Sequence, residues 1–298
     1  MTNMRVTEQS RQTAQVRYIT MAQSKLDRIQ ETLSTSRRIN RASDDPAGTA
    51  LALRHREDLQ FETQMRRNLD NGIGFMNISE AAMNGATEAL QRIRELTVQA
   101  ANDTLTSTDR AGIAREIDEL TRHIAQVANT NFGGAYVFSG HKTSTPTYAV
   151  VGNPPTTITY MGDAGARNRR ISKTDVVAVN VTGQQVFGSA FTDLIQLRTD
   201  LDAGATSVTI SAHLTEIDAA LDRLIAARAD IGARINRFDA VTAQSEQTNL
   251  NLEELRSKIE EPDLVESVMQ MQQQSQALQA ALGAIGRTAN MTLLDFLR

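Results

Sequence analysis

The sequence predicts a mainly α protein: long antiparallel helical coiled-coil rods from both termini, with a small β-rich middle domain. Three observations carry that prediction. The five prolines stand at 46, 146, 154, 155 and 262, leaving two proline-free stretches of about a hundred residues each. Both are rich in Ala, Leu, Gln, Arg and Glu, straight-chain or small residues that lose little rotamer freedom in a helix. Apolar residues in these arms also recur at alternating steps of three and four. Between His123 and Gly162 the composition changes: Lys142 is the only Lys, Arg, Asp or Glu. That segment collects Phe132, Tyr136, Phe138, Tyr148 and Tyr160, many threonines and three prolines, which read as short strands and turns.

Taken in chain order, Ile19, Ala22, Leu26, Ile29 and Leu33 step by 3,4,3,4 and share one seam of a first helix. A break falls at Ser43–Pro46, where an Asp caps a helix that begins with proline. Leu69, Met76, Met83, Leu90 and Thr97 then recur every seven residues, interrupted by Gly72, Gly74 and Gly85. Each glycine weakens a helix by roughly 1 kcal/mol relative to alanine. After a turn at Asn102–Thr108, Thr106 and Asp109 have the spacing of a capping box. Ile113, Ile117, Leu120, Ile124 and Val127 form the next seam. In the second arm the rhythm runs through Leu214, Ile217, Leu221, Leu224, Arg228, Ile231, Ile235 and Phe238, with Arg228 the polar intrusion. Pro262 suits the first turn of a new helix, whose seam is Leu264, Val268, Met271, Ser275, Leu278, Leu282 and Ile285.

Pattern alone also allows a globular bundle with every stripe facing one core. The terminal stripes are narrow and flanked by very polar residues, as in Met271-Gln-Gln-Gln-Ser-Gln, and they lie at opposite ends of the chain. Pairing them gives an antiparallel rod. The expected organisation is 1–40 and 261–298 as the two parts of an inner helical domain. Residues 41–132 and 191–260 are then a helical rod domain, and 133–190 a β-rich outer domain.

Composition excludes several classes. There is no Cys, hence no disulfide, thiolate metal site or cysteine nucleophile. The net charge of −4 argues against nucleic acid as the partner. No run of eighteen apolar residues predicts membrane insertion, and the opening MTNMRVTEQSRQTAQVR lacks the apolar core of a cleaved secretory signal. With 4% aromatic residues and no Trp, an aromatic-rich core is not expected. The four histidines, 55, 123, 141 and 213, have no ligand-like spacing, and neither a phosphate loop nor a nucleophile elbow occurs. The sequence therefore predicts no catalytic, cofactor-binding or metal-ligating residue, and no enzyme. The basic cluster Arg37, Arg38 and Arg41 leaves two readings open, ion pairs to carboxylates between subunits and phosphate binding.

The segment Leu33-Ser-Thr-Ser-Arg-Arg-Ile-Asn-Arg-Ala-Ser-Asp-Asp-Pro-Ala-Gly closely resembles the N-terminal signature of the bacterial flagellin family. The likeness continues through Arg94-Glu-Leu-Thr-Val-Gln-Ala-Ala-Asn-Asp-Thr, Glu116-Ile-Asp-Glu-Leu and Val127-Ala-Asn-Thr-Asn-Phe-Gly-Gly-Ala-Tyr-Val-Phe-Ser-Gly. In the second arm, Ile231-Gly-Ala-Arg-Ile-Asn-Arg-Phe and Gln276-Ala-Leu-Gln-Ala match the C-terminal pattern. Within the family, Met4-Arg-Val-Thr, Tyr136-Val-Phe-Ser-Gly-His-Lys-Thr and Leu293-Leu-Asp-Phe-Leu look more like the hook–filament junction members than filament flagellins. One departure is Ser36, where the family usually has Gly.

The resemblance implies a structural adaptor joining flagellar hook to filament, with a short filament-forming flagellin as the alternative. It implies an extracellular flagellar location, reached by type III export without a cleaved signal peptide. The implied partners are other copies of the chain, a neighbouring hook-associated protein, flagellin and an export chaperone. The expected assembly seam is Ile19, Leu26, Ile29, Leu33, Leu264, Val268, Met271, Leu278, Leu282 and Ile285. The expected signature loop is Arg38, Ile39, Asn40, Ser43, Asp44, Asp45 and Pro46.

Overall fold

A computed structural model describes residues 3–102 and 104–296, with side chains described for residue 10, 13–102 and 104–286. The chain is 72% helical. In order come α1 (Asn3–Thr35), α2 (Pro46–Ala100), α3 (Ser107–Ala128), β1 (Asn131–Phe132), β2 (Ala135–Tyr136), β3 (Tyr148–Val151), β4 (Thr157–Tyr160), β5 (Asn168–Arg170) and β6 (Val176–Ala178). They are followed by α4 (Gly183–Phe187), α5 (Ala190–Asp202), α6 (Ser207–Glu260) and α7 (Leu264–Phe296). Two compact units result: Met1–Phe61 with Gln247–Arg298, and Glu62–Glu246.

The larger unit, 62–246, is built on the heptads. Leu69, Met76, Met83, Leu90 and Thr97 of α2 are all at most 1% exposed. Thr97 tolerates that burial because its hydroxyl donates to the Ile93 carbonyl at 2.7 Å. Helix α6 runs antiparallel to α2, as the cross-links from Arg66 to Glu246, Arg94 to Asp218 and Arg228 to Glu80 show. The polar intrusion in the α6 seam has its reason there: Arg228 gives Nε and Nη2 to one Glu80 oxygen at 3.1 and 2.8 Å. Ile217, Leu221, Leu224, Ile231 and Phe238 of α6 are buried around it. Helix α3 starts with the expected capping box, in which Thr106 and Asp109 satisfy each other's backbone N–H. The bonds from the Thr106 side chain and backbone hold the Asp109 carboxyl below its ordinary pKa.

The middle segment forms three separate two-stranded antiparallel sheets, β1–β2, β3–β4 and β5–β6. Tyr148 pairs with Tyr160 and Val151 with Thr157 in the longest. These hairpins are too short to hold themselves together. They stand because Val137, Phe138, Tyr148, Ile171, Val179 and Val181 join one hydrophobic core with the helices. The aromatic residues that the sequence collects in this segment meet the rings of α4 and α5, so a local aromatic core forms where the low average content predicts none. Tyr148 lies 4.7 Å from Phe191 and 5.7 Å from Phe187 between ring centroids, and Phe138 packs edge-on to Phe187 at 5.6 Å. A low average count conceals a local cluster, because the rings are drawn from the 54 residues from Phe138 to Phe191 onto one spot. Burial pushes the Tyr148 phenol far above its ordinary pKa and keeps it neutral.

The smaller unit consists of α1, α7, the loop between α1 and α2, the first turns of α2 and the end of α6. Helices α1 and α7 pack together and run antiparallel: Gln274 donates to the Ala22 carbonyl at 3.3 Å, while Arg38 reaches Glu260. Pro262 lies just outside α7, not in its first turn. The cap is Asp263, whose Oδ1 accepts from the N–H groups of Val265 and Glu266 at 2.9 and 3.1 Å.

Candidate functional site

Among the described residues, no group of three His, Cys, Asp or Glu side chains is placed to hold a metal. The features that combine the quoted motifs are the α1–α2 loop and the α1–α7 pair, both in the smaller unit.

Helix α1 ends in a tight reversal at Ser36, which has φ 52° and is the one non-glycine at positive φ among the described residues. The Arg37 N–H donates back to Thr32 at 3.2 Å, the long backbone bond of a left-handed helix stop. Serine holds this position at a cost of about 1–2 kcal/mol relative to an ordinary backbone well. The loop is then tied to the end of α6 by Arg38. Its N–H donates to the Glu260 carbonyl at 2.6 Å, and its Nη2 donates to the Ile259 carbonyl at 2.7 Å. The same guanidinium stands 3.4 Å from Asp45. Arg56 reaches the Glu260 carboxylate at 2.8 Å, so the half-exposed Arg56 neutralises a buried acid.

The two aspartates have different tasks. Asp45 caps α2, its Oδ1 accepting from the Gly48 N–H at 2.8 Å. Asp44 does not cap the helix. Its Oδ2 takes the Arg41 N–H at 2.9 Å, and its own N–H returns to the Arg41 carbonyl, closing the loop on itself. Asn40 braces the same turn by donating to the Arg37 carbonyl at 3.1 Å, Ser43 is exposed, and Pro46 opens α2. A Cβ at Gly48 would stand 2.3 Å from Asp45 Oδ2 and 2.8 Å from Ile39 Cδ1, so a larger residue would have to displace the capping carboxylate. Arg41 stands 3.7 Å from Glu31. Of the basic cluster, Arg38 and Arg41 thus face carboxylates within the same chain. A cup of about 130 Å³ opens between the loop and α2, lined by Arg37, Ile39, Asn40, Arg41, Arg56 and Glu260 among others.

On the helix pair, Ile19, Leu26, Ile29 and Leu33 of α1 are half-buried and their neighbours are mostly exposed. Leu278 is buried, and Met271 and Ile285 are half-buried. Leu264, Val268 and Leu282, placed in the same seam by their spacing, are 54, 40 and 51% exposed. So one edge of the α7 stripe meets α1 and the other is bare. Val16, Tyr18 and Met21 on α1 and Val265 and Met269 on α7 are bare as well. The terminal motif Leu293–Leu297 runs past the last described residue, and the side chains of Met4–Thr7 lie outside the described set.

The unit at 62–246 holds one polar group that sequence reasoning passed over. His213, near the start of α6, is clasped between Asp200 of α5 and Glu216 of α6. Only the spacing to Glu216, one helical turn on, was visible beforehand.

Residues 6–143 match the family described as bacterial flagellin N-terminal helical region, and residues 214–297 match the bacterial flagellin C-terminal helical region. Flagellin FlaB1 of Treponema pallidum is 27% identical over 271 residues, covering 90% of this chain and 91% of that protein. Flagellin 1 of Proteus mirabilis is 42% identical over 113 residues, 38% of this chain and 31% of that one. Among solved structures, FlgL of Xanthomonas campestris aligns with a TM-score of 0.62 at 16% identity, covering 68% of this chain and 99% of that one. Flagellar hook-associated protein 3 of Legionella pneumophila aligns with a TM-score of 0.58 at 18% identity, covering 68% and 96%. The family matches span the loop, both ends of the helix pair and the heptad helices. This chain belongs to the bacterial flagellin family of structural flagellar proteins, with the fold shared by its hook-associated members.

Proposed function

We propose that the chain is a structural adaptor subunit that joins the flagellar hook to the filament by self-assembly of its helices, and that it is not an enzyme. The observation that carries this reading is the likeness to the solved FlgL and hook-associated protein 3 structures, which extends over 96–99% of their length. Its physical basis is the bare edge of the α1–α7 pair. Leu264, Val268 and Leu282, with Val16, Tyr18 and Met21, have no cover within one chain to match their apolar character. Fully burying a side chain of this size gains about 1.5–3 kcal/mol. Several such residues per subunit, each against a neighbouring copy, offset the loss of freedom on association. Head-to-tail contacts between copies would close into a ring or continue as a helix according to the rotation between them. In this reading 1–40 and 261–298 form the inner layer, 41–132 and 191–260 the rod, and 133–190 the outer domain. The subunit works outside the cell in the flagellum, after type III export with a chaperone, beside another hook-associated protein and flagellin.

A second reading, a short filament-forming flagellin, is favoured by relatives that match almost end to end, flagellin FlaB1 among them. Deleting the gene separates the two. Without the adaptor, hooks are bare and flagellin is shed into the medium. Without the filament protein, secreted flagellin itself disappears.

A further inference from the structure

We infer that His213 is held as an imidazolium that locks the α5–α6 hairpin, so this part of the 62–246 unit loosens when the ring loses its proton. The geometry requires two ring donors. His213 Nε2 lies 2.8 Å from Asp200 Oδ2, and Nδ1 lies 2.8 Å from Glu216 Oε2. An ionised carboxylate only accepts hydrogen bonds, and a neutral imidazole has a single N–H. With a neutral ring one of these contacts would set lone pair against lone pair; with an imidazolium both are charge-assisted bonds of ordinary length. The His213 side chain is only 10% exposed and Asp200 20%, so water cannot readily replace the Asp200 contact.

Among the described residues, the other charged groups around the ring are engaged with partners of their own. On α5, Asp200 commits its second oxygen to Gln196 at 2.9 Å, and Asp202 stands 3.6 Å from Arg198. From α3, Arg110 gives its Nη1 to the Ala205 carbonyl in the α5–α6 turn at 2.8 Å. On α6 the acid is Glu216. Burial of the ring works against the proton, but the hydrogen bonds and charges of Asp200 and Glu216 outweigh it and raise the histidine above its ordinary pKa. The sign follows. A raised folded value means the stabilisation is complete below the unfolded value of about 6.5 and is lost as pH rises through the folded one. The order of release also follows. Asp200 is 20% exposed and Glu216 48%, so the remaining proton stays on Nε2 facing Asp200 while Glu216 swings into water.

The test uses the purified full chain with ¹⁵N-labelled histidine. At about pH 7.5 a free histidine side chain is about one-tenth protonated. For His213, long-range ¹H–¹⁵N spectra should show both nitrogens protonated in a clearly larger fraction, with Nδ1 the first to lose its proton on further titration. A neutral ring at that pH, protonated in about one-tenth of molecules or fewer, would overturn the inference. In parallel, the parent's thermal midpoint should fall from about pH 6.5 into the alkaline range, the direction set by a raised histidine. The same slope should be flattened in Glu216→Gln. A slope unchanged in Glu216→Gln would contradict the lock, and the parent spectra decide the matter whatever the variant's stability.

Discussion

Replacing Gly72 with alanine adds one methyl group where α2 faces the Phe238 ring of α6 in the 62–246 unit. A Cβ at Gly72 falls 2.6 Å from Phe238 Cε1, 3.3 Å from Phe238 Cδ1 and 3.3 Å from Val179 Cγ1. Carbon atoms prefer separations of about 3.5–4.0 Å. Phe238 is fully buried and Val179 nearly so, so the ring has no free space to retreat into. Overpacking of this kind costs about 1–3 kcal/mol, against a helix-propensity gain of about 1 kcal/mol for Gly→Ala. The net expectation is a loss of about 0–2 kcal/mol. For a unit of this size that lowers the thermal midpoint by up to about 8 °C. Gly85 on the same helix is the control, since its nearest neighbour would be Val127 Cγ2 at 4.0 Å. Gly85→Ala should keep the propensity gain and raise the midpoint by about 2–4 °C. Calorimetry and urea melts of the two variants measure the difference. If Gly72→Ala proves as stable as Gly85→Ala, the close approach of Phe238 to α2 is wrong.

Leu278→Asp puts a carboxylate where α7 meets α1, so helix content of the isolated chain should fall. Leu282→Asp, on the bare edge, should leave the monomer's circular dichroism unchanged and block assembly; equal effects on the monomer would count against the two-edged stripe. Asp45→Ala removes the α2 cap and should cost about 1 kcal/mol, while Asp44→Asn keeps an acceptor for the Arg41 N–H and should melt within about 0.5 kcal/mol of the parent. A chelator-dependent midpoint in the parent would instead make the pair a ligand site. Ser36→Gly relieves the left-handed backbone and should stabilise the end of α1 by up to about 1 kcal/mol, read as slower amide exchange at Arg37.

The heptads were legible because they report on burial within one chain. Leu69, Met76, Met83, Leu90 and Thr97 announce their spacing and all end up in the core. Capping at Thr106 and Asp109 was legible for a similar reason, since its partners are three residues apart. The α7 stripe shows where such reading stops. Periodicity marks Leu264, Val268, Leu278 and Leu282 alike, yet only Leu278 is covered in one chain, because spacing does not say whose surface provides the cover. The division of labour between Asp44 and Asp45 depends on how the ten-residue loop between α1 and α2 folds, and Gly72 is explained by an aromatic ring 166 positions away. His213 has no metal-ligand spacing in the sequence to mark it. Its principal partner, Asp200, comes from the preceding helix across a turn, a contact that only the α5–α6 hairpin creates.

The adaptor reading places a small number of subunits at one position in the flagellum, and that position can be seen directly. Antibodies raised against the 133–190 segment, applied to intact flagella and followed by immunogold electron microscopy, locate the chain. The account predicts a single narrow band of label at the distal end of the hook. Label distributed along the whole filament would contradict it and establish the chain as a filament subunit.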